Sequence, residues 1–501
     1  METIHLLMNG FEIALSWQNI LYCLAGVSVG MIVGILPGLG PSAGTALLIP
    51  LTFAMDPISA IIMLSGIFYG SMYGGTITTV LVNVPGEAAS VVTSLDGYPM
   101  AKKGRAGVAL GISAIGSFVG GVVAIIGVAL VAPHLVKFAL SFGPPEYFAL
   151  ILFGMTMVVG LAGKSIIRGM LAVLIGLVLA MFGIAPSSGD IRFSFGQAFL
   201  IDGFDFVTIA MGLFGLSEIL LGLEQQMKKP EKPPKVKGML PSRQEIRPSA
   251  MSIGRGTVLG FFLGLIPGIS SVVPSLLSYS MEKRLAKDPS RFGKGAIEGV
   301  AGPETANNSF TGGALIPLFL LGIPSSATMA VLLGAFVLHG LQPGPTLFVR
   351  HADFVWAVIA SMFIGNLLLL VMNLPLAKFW AKIASIPFKM LFPIIIAVSI
   401  VGTYSISNSL WDVGGLLVFG LLGYFLKKAD IPVAPIALVF ILGKMMEESL
   451  LQTLGLYDGN FAEIFTRPIS GTLMALSALA LALSIVAGLK NKKNLLEDSE
   501  V

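Results

Sequence analysis

Long apolar segments separated by short polar loops fill most of the chain. They run roughly over 17–36, 58–80, 106–132, 146–163, 168–186, 204–223, 254–280, 310–345, 354–376, 390–408, 411–426, 432–451 and 469–489. A helix needs about 20 consecutive apolar residues to cross the hydrocarbon core of a bilayer. The pattern therefore predicts an all-α polytopic membrane protein with about 10–12 transmembrane helices.

The composition excludes several other classes of protein. Of 501 residues, 55% are hydrophobic and only 12% are charged, whereas a soluble domain carries about 25% charged residues. This excludes a soluble enzyme, a disordered chain and a nucleic-acid-binding protein. The net charge of +4 comes from basic residues in short loops. The N-terminal stretch METIHLLMNGFEIALSW has no Lys or Arg, so it is not expected to be a cleaved signal peptide.

Basic and non-basic loops alternate along much of the chain. The basic clusters are Lys102 to Arg105, Lys164 with Arg168, 228–249, Lys283 to Lys294, Lys378 to Lys389, Lys427 with Lys428, and Lys490 to Lys493. Because cytoplasmic loops are enriched in Lys and Arg, this alternation predicts a cytoplasmic C-terminus and an N-terminus on the outside. We therefore predict a first membrane repeat over 1–227, a cytoplasmic linker over 228–250, a second repeat over 251–425, and C-terminal helices with a cytoplasmic tail over 426–501.

The two halves of the chain contain matching motifs. GxxxGILPGL begins at Gly30 and GxxxGLIPGI begins at Gly260, while GGTITTVLVNVP, which ends at Pro85, resembles GALIPLFLLGIP, which ends at Pro324. Chance similarity between apolar segments is the alternative, but two ordered matches that share proline positions favour a repeat. The loop charges give the two PG helices opposite directions, which predicts inverted repeats of the kind found in transporters.

The PG motifs are predicted to interrupt their helices. Proline lacks a backbone N–H and glycine permits positive φ, so PGLGPS (37–42) and PGISS (267–271) should end helical structure. Backbone groups freed at membrane depth must be buried in protein or face water. We therefore predict re-entrant helical hairpins over 17–55 and 254–280, with a polar cavity between the repeats. Ordinary proline kinks and GxxxG packing are the alternative.

Hydroxyl and amide side chains dominate the surroundings of these breaks, and their helix N-termini could hold an anion. Glu87 and Glu304 are the acidic residues there; they could couple transport to a cation or proton, or could be solvated helix ends. The predicted substrate-binding residues are Pro37, Gly38, Ser42, Asn83, Gly86, Ser90, Asn307, Asn308, Ser325, Ser326 and Thr328. The predicted ion-coupling residues are Gly40, Thr76, Thr78, Glu87, Gly268, Ser270 and Glu304.

Motifs for other chemistry are incomplete. Gly163-Lys164-Ser165 lacks the first glycine of a P-loop, because that position is Val158. HExxH and CxxC patterns do not occur in the sequence, and no GxSxG nucleophile elbow, which needs a strand-to-helix turn, is evident. Metal-dependent hydrolysis and ATP-driven transport by this chain are therefore not supported, and no cofactor is expected apart from a coupling ion.

Five motifs together resemble a known transporter family. They are GILPGLGPSAGTALLIPLTF, GGTITTVLVNVPGEAAS, LDGYPMAKKGRAG, EGVAGPETANN, and GGALIPLFLLGIPSSAT with GLQPGP. In this order, from about residue 15 to 420, they resemble the large membrane subunit of tripartite tricarboxylate transporters. One departure is GIPSS, where Ser325 replaces the glycine of the family's GIPGS.

The resemblance implies a secondary transporter of the bacterial inner membrane that takes up carboxylates such as citrate. Its implied partners are a small transmembrane subunit and a periplasmic solute-binding protein, and its implied driving force is an ion gradient, with Na⁺ as the coupling ion. An elevator-like movement is an analogy only. The family resemblance also makes the PG turns and the Asn307–Asn308 region the best candidates for the binding site.

Two other functions are considered. A membrane-embedded enzyme acting on lipid or polyprenyl substrates would need a catalytic acid, base or metal cluster, and His and Asp are scarce in the apolar segments. A passive channel has no evident need for two opposed broken hairpins.

Overall fold

The computed structural model describes residues 2–497 except for 37, 162–164, 187, 225–235, 237 and 384–387. Its α-helices are α1 (Glu2–Ala14), α2 (Trp17–Ile35), α3 (Gly40–Thr52), α4 (Pro57–Val82), α5 (Val91–Met100), α6 (Ala106–Ala139), α7 (Pro144–Leu161), α8 (Ile166–Ala180), α9 (Phe206–Ala210), α10 (Ser217–Glu224), α11 (Arg243–Gly264), α12 (Val272–Leu285), α13 (Glu298–Gly313), α14 (Leu315–Leu321), α15 (Ala327–Leu338), α16 (Pro345–Arg350), α17 (Ala352–Asn373), α18 (Ala377–Ile383), α19 (Phe388–Ser407), α20 (Leu410–Lys428), α21 (Val433–Leu456), α22 (Glu463–Thr466) and α23 (Pro468–Glu497).

Short segments of other structure connect these helices. The 3₁₀ turns cover Ala88–Ser90, Ala198–Leu200 and Pro289–Arg291, and π-helical segments cover Ala101–Arg105 and Met211–Leu216. The two-residue strands β1 (Gly183–Ile184) and β2 (Ile191–Arg192) pair antiparallel. The described part of the chain is thus almost entirely helical, as the apolar pattern predicts.

Six helical segments of the described residues are long and apolar enough to cross a membrane. They are Trp17–Ile35, Pro57–Val82, Ala88–Ala139, Phe206–Glu224, Ala352–Asn373 and Leu410–Lys428. Shorter apolar helices cover Pro144–Val159, Ile166–Ala180, Ala327–Leu338, Phe392–Ile406 and Pro468–Ala482. The all-α polytopic membrane class is therefore confirmed, while the number of crossings and the direction of the predicted hairpins stay predictions.

Helix α11 begins earlier than the hydropathy pattern indicates. Glu245 accepts a hydrogen bond from the backbone N–H of Ser242 at 2.7 Å, and the two residues form a capping box. The Ser242 backbone N–H, and Arg105 at 2.6 Å, hold the pKa of Glu245 below its usual value. The predicted linker boundary at residue 250 therefore falls inside α11, which is 22 residues long. The capping box stabilises the start of α11 even though the first two turns of this helix are polar.

The first repeat is built on close contact between α2 and α4. Gly26, Gly30 and Gly34 lie on one face of α2, four residues apart, against the α4 backbone. A Cβ at these positions would lie 2.3, 2.5 and 2.1 Å from the carbonyl oxygens of Met63, Ile67 and Ser71, respectively. Only glycine permits this approach, which brings two helix backbones into van der Waals contact.

The second repeat uses the same packing at a constant spacing. A Cβ at Gly256, Gly260 or Gly264 of α11 would lie 2.5, 2.2 or 2.7 Å from the carbonyl oxygens of Gly302, Ala306 and Phe310 of α13. These glycines follow their counterparts by 230 positions (26 and 256, 30 and 260, 34 and 264), and the carbonyls by 239 (63 and 302, 67 and 306, 71 and 310). These three contacts recur in the same order on successive helical turns. They support a structural repeat in which α2 packs on α4 as α11 packs on α13.

The helix breaks after these pairs also correspond. Asn83 ends α4 with φ 55° and Gly322 ends α14 with φ 66°, 239 positions apart (83 and 322). Each break is closed by a backbone hydrogen bond to the sixth residue before the donor, from Val84 to Thr78 and from Ile323 to Pro317. The left-handed residue turns the chain into an extended proline segment before the next helix.

The two halves interlock through these elements. Helix α3, after the first PG motif, packs against α15 of the second half, while α12, after the second PG motif, packs against residues 88–90 of the first half. Helices α4 and α13 lie at the centre, where most of their side chains are buried. Because each helix that follows a PG motif packs against the opposite half, the polar ends of both repeats lie next to one another.

Candidate functional site

Both PG motifs interrupt helical structure where the sequence predicts. Gly38 and Gly40 have φ of 90° and 61°, and Gly268 has φ of 83°. At Gly38 and Gly40 a Cβ would meet open space, so it is the backbone conformation that requires glycine there. Ser42 lies half-buried in the first turn of α3 and Ser270 is exposed before α12. Pro37 lies outside the described residues.

A second pair of breaks places carboxylate and hydroxyl groups. Asn83 is exposed and forms the left-handed end of α4, while Gly86 is buried, with its α-carbon facing the Gly34 carbonyl. Glu87 then caps the 3₁₀ turn at 88–90 by accepting from the backbone N–H of Ala89 at 2.9 Å. Ser90 shares a hydrogen bond with Thr79 at 2.8 Å. Local turn geometry thus directs the Glu87 carboxylate toward the neighbouring repeat.

Five side chains from both repeats meet in what we call the carboxylate seam: Thr76, Glu87, Thr93, Glu304 and Asn307. Thr76 donates to Glu304 at 2.7 Å, and Thr93 donates to its other oxygen. The Asn307 amide nitrogen donates to Glu87 at 3.0 Å. Glu87 is only 5% exposed and Glu304 and Asn307 are each 1% exposed. Both glutamates are therefore buried, and the solvated-helix-end alternative does not describe them.

Three other predicted residues form hydrogen bonds of their own. Asn308 donates to Ser117 of α6 at 2.8 Å and to the Glu304 carbonyl at 3.0 Å. Thr78 donates to the Gly75 carbonyl within its own helix, at 3.3 Å. Ser326 caps α15 by accepting from the backbone N–H of Met329 at 3.3 Å, which makes it the counterpart of Glu87 in the second repeat.

Several buried polar atoms of the predicted site residues have no hydrogen-bond partner within the described residues. They are the side-chain oxygens of Asn307, Asn308 and Ser325. Ser325 is buried at the second proline break, and Thr328 is buried one turn into α15. Because a buried oxygen without a partner costs about 1–3 kcal/mol, such atoms indicate where a ligand or ion would be stabilising.

Thr93 and Asp96 of α5 were not among the predicted site residues. Asp96 accepts from the backbone N–H groups of Gly295 and Ala296 at 2.7 and 2.8 Å, and from the Tyr279 hydroxyl at 3.0 Å. The spacing Ser90, Thr93, Asp96 puts three polar residues at every third position of the segment. That periodicity, which places them on one helix face, was the available signal.

Replacing Asp96 with alanine is expected to lower the free energy of unfolding by about 2–4 kcal/mol, because two backbone N–H groups lose their acceptor. Asparagine keeps one carbonyl acceptor, so Asp96→Asn should cost less than half as much. Thermal unfolding of the detergent-solubilised protein measures both changes. Equal destabilisation by the two substitutions would contradict this role.

A cavity of about 720 Å³ lies elsewhere, among residues 198–207, α15 and the C-terminal helices. Its charged lining consists of Asp202, Asp205, Asp412 and Lys444. Three carboxylates against one ammonium group disfavour a small anion. Among the described residues, none of the predicted site residues lines this cavity.

Comparison with known proteins assigns the family. The model of the Tripartite tricarboxylate transporter TctA family matches residues 20–438. The chain belongs to this family. The matched range contains all four helix breaks and every residue of the seam.

Two relatives from Agrobacterium vitis carry descriptive names only. One, an uncharacterised 52.8 kDa protein in the TAR-I ttuC′ 3′ region, is 43% identical over 494 residues, covering 99% of this chain and 98% of the relative. The other, an uncharacterised protein in the TAR-II ttuC′ 3′ region, is 43% identical over 235 residues, covering 47% of this chain and 97% of the relative. No solved structure matches the chain.

Proposed function

We propose that this TctA-family protein is the large permease subunit of a tripartite secondary transporter that imports small carboxylates, of the citrate type, across the bacterial inner membrane. A periplasmic solute-binding protein delivers the substrate, a small transmembrane subunit completes the permease, and an ion gradient, carried by Na⁺, drives uptake. The C-terminus is cytoplasmic and the N-terminus periplasmic. The family assignment supports the transporter class.

The observation that carries the proposal is the pairing of two broken-helix repeats around buried polar groups. Ser325 and Ser326 precede α15, whose first backbone N–H groups and dipole favour a negatively charged group. Ser90, at the corresponding start of α5, supplies a second hydroxyl. A dicarboxylate or tricarboxylate has several anionic groups, so it suits a site with helix N-termini contributed by both repeats.

The direct test is uptake of labelled citrate by vesicles that contain the chain, the small subunit and the binding protein. We expect saturable uptake that requires an inward Na⁺ gradient. Uptake that is equal with and without the gradient would refute Na⁺ coupling. The absence of uptake for citrate, other tricarboxylates and dicarboxylates under every ion gradient would refute the carboxylate assignment.

Replacing both Asn307 and Asn308 with alanine is expected to reduce uptake at least about tenfold, since each substitution removes hydrogen bonds of about 0.5–1.5 kcal/mol. The amount of folded protein in the membrane is measured in parallel. Thr305→Ala is the matched control, because Thr305 lies on the same helix and its hydroxyl donates to the Ala301 carbonyl within that helix. Normal uptake by the double variant at normal expression would remove both residues from the site.

A further inference from the structure

The two glutamates of the carboxylate seam differ from the other buried glutamates in their partners. Glu146 pairs with Arg467 at 2.6 Å, and Glu282 pairs with Arg255 at 2.5 Å. Within the described residues, no Lys, Arg or His forms an ion pair with Glu87 or Glu304. A buried carboxylate without a counter-charge is costly. A cation bound from outside the protein would reduce this cost at the seam.

Neutral donors compensate only part of this charge. Glu87 accepts from the Ala89 backbone N–H and the Asn307 amide, at 2.9 and 3.0 Å. Glu304 accepts from the hydroxyls of Thr76 and Thr93. These dipolar contacts orient the carboxylates but carry no net charge to balance them.

Asn307 supplies the observation that points to a ligand. It lies one helical turn after Glu304 on α13, and its amide nitrogen donates to the Glu87 carboxylate, so it links the two glutamates' helices. Its other atom, Oδ1, is buried and has no partner within the described residues. An unpartnered carbonyl oxygen beside two carboxylates requires a donor or a cation.

A proton satisfies this arrangement less well than a metal ion. A proton on Glu87 Oε1 could be accepted by Asn307 Oδ1 only if the amide turned over, and the amide nitrogen would then lose its Glu87 acceptor. A proton on Glu304 could be accepted by a threonine hydroxyl, but Asn307 Oδ1 would still lack a partner. A hard cation prefers oxygen ligands and can contact carboxylate and amide oxygens together.

We propose that the carboxylate seam binds one hard monovalent cation, of the Na⁺ class, through the carboxylates of Glu87 and Glu304 and the amide oxygen of Asn307. Glu87 belongs to the first repeat and the other two ligands belong to the second, so the ion ties the repeats together. The choice of a monovalent ion rests on the proposed transport function, because reversible binding in each cycle disfavours strongly hydrated divalent ions.

The test measures ion binding on the purified full chain, without its transport partners. Thermal unfolding is followed at fixed pH and ionic strength while choline chloride is replaced by NaCl, and separately by KCl or MgCl₂. Because a ligand that binds only the folded state stabilises it, we expect a saturable rise of at least about 3 °C in Na⁺. Glu304→Gln and Asn307→Leu should abolish the rise.

Glu282→Gln is the matched control, since that buried carboxylate already has an arginine partner, and it should keep the full Na⁺ response. If Glu304→Gln does not fold, Glu87→Gln and Asn307→Leu provide the same reading. A Na⁺ response that persists in the seam variants, a response to Mg²⁺ alone, or stabilisation only by acid would overturn the proposal. Na⁺ binding without carboxylate uptake would instead refute the proposed function and leave the cation site standing.

Discussion

Replacing Gly260 with valine is expected to prevent the second repeat from packing. A Cβ at this position would lie 2.2 Å from the carbonyl oxygen of Ala306, far inside van der Waals contact. The obstructing atom belongs to the α13 backbone and cannot rotate away. Relief therefore requires α11 and α13 to separate along their length, and overpacking of this kind costs about 3 kcal/mol or more.

The measurement is the fraction of detergent-solubilised protein that elutes as a single species, together with its thermal unfolding midpoint. Gly254→Val is the matched control, because Gly254 lies on the same helix and a Cβ there meets nothing within 4 Å. We expect the control to behave as wild type and Gly260→Val to aggregate. Equal yields and midpoints for the two variants would show that the close approach of α11 and α13 is not required.

The positions of the helix breaks could be predicted because their cause is local. Proline removes a donor and glycine permits positive φ wherever they occur, so Gly38 and Gly268 mark real interruptions. The repeat was visible for the same reason: glycines that need close packing recur with fixed spacing. The start of α11 was missed because a capping box at Ser242 and Glu245 extends a helix beyond its apolar part.

The contents of the seam could be predicted only in part. Glu87 and Glu304 are conspicuous as acidic residues beside breaks, but nothing local shows that Glu304 meets Thr93, 211 positions away in the sequence. Such pairing depends on how the two repeats interlock. The same applies to Asn83, which was predicted to bind substrate; it lies exposed at the end of α4 with φ 55°, a backbone role that asparagine often fills.

Exchanging the residues at the two proline breaks should destabilise the first repeat much more than the second. Gly86 and Ser325 are equivalent positions, 239 residues apart (86 and 325), each directly after a proline. At Gly86 a Cβ would lie 1.8 Å from the Gly34 carbonyl oxygen, and 2.8 Å from the α-carbon of Gly75. Ser325, in contrast, is buried with its side chain accommodated.

Gly86→Ser is therefore expected to disrupt the junction of α2, α4 and the seam, with a cost of about 3 kcal/mol or more from backbone overlap. Ser325→Gly removes only a hydroxyl and adds backbone freedom, so its cost should stay below about 1 kcal/mol. The measurement is the thermal unfolding midpoint of each variant. Because serine occupies the equivalent position of the second repeat, the chemistry of the introduced side chain cannot explain a loss at position 86. A Gly86→Ser protein that unfolds at the wild-type midpoint would instead show that the two breaks have equal room, and that the glycine of the first break is not required by packing.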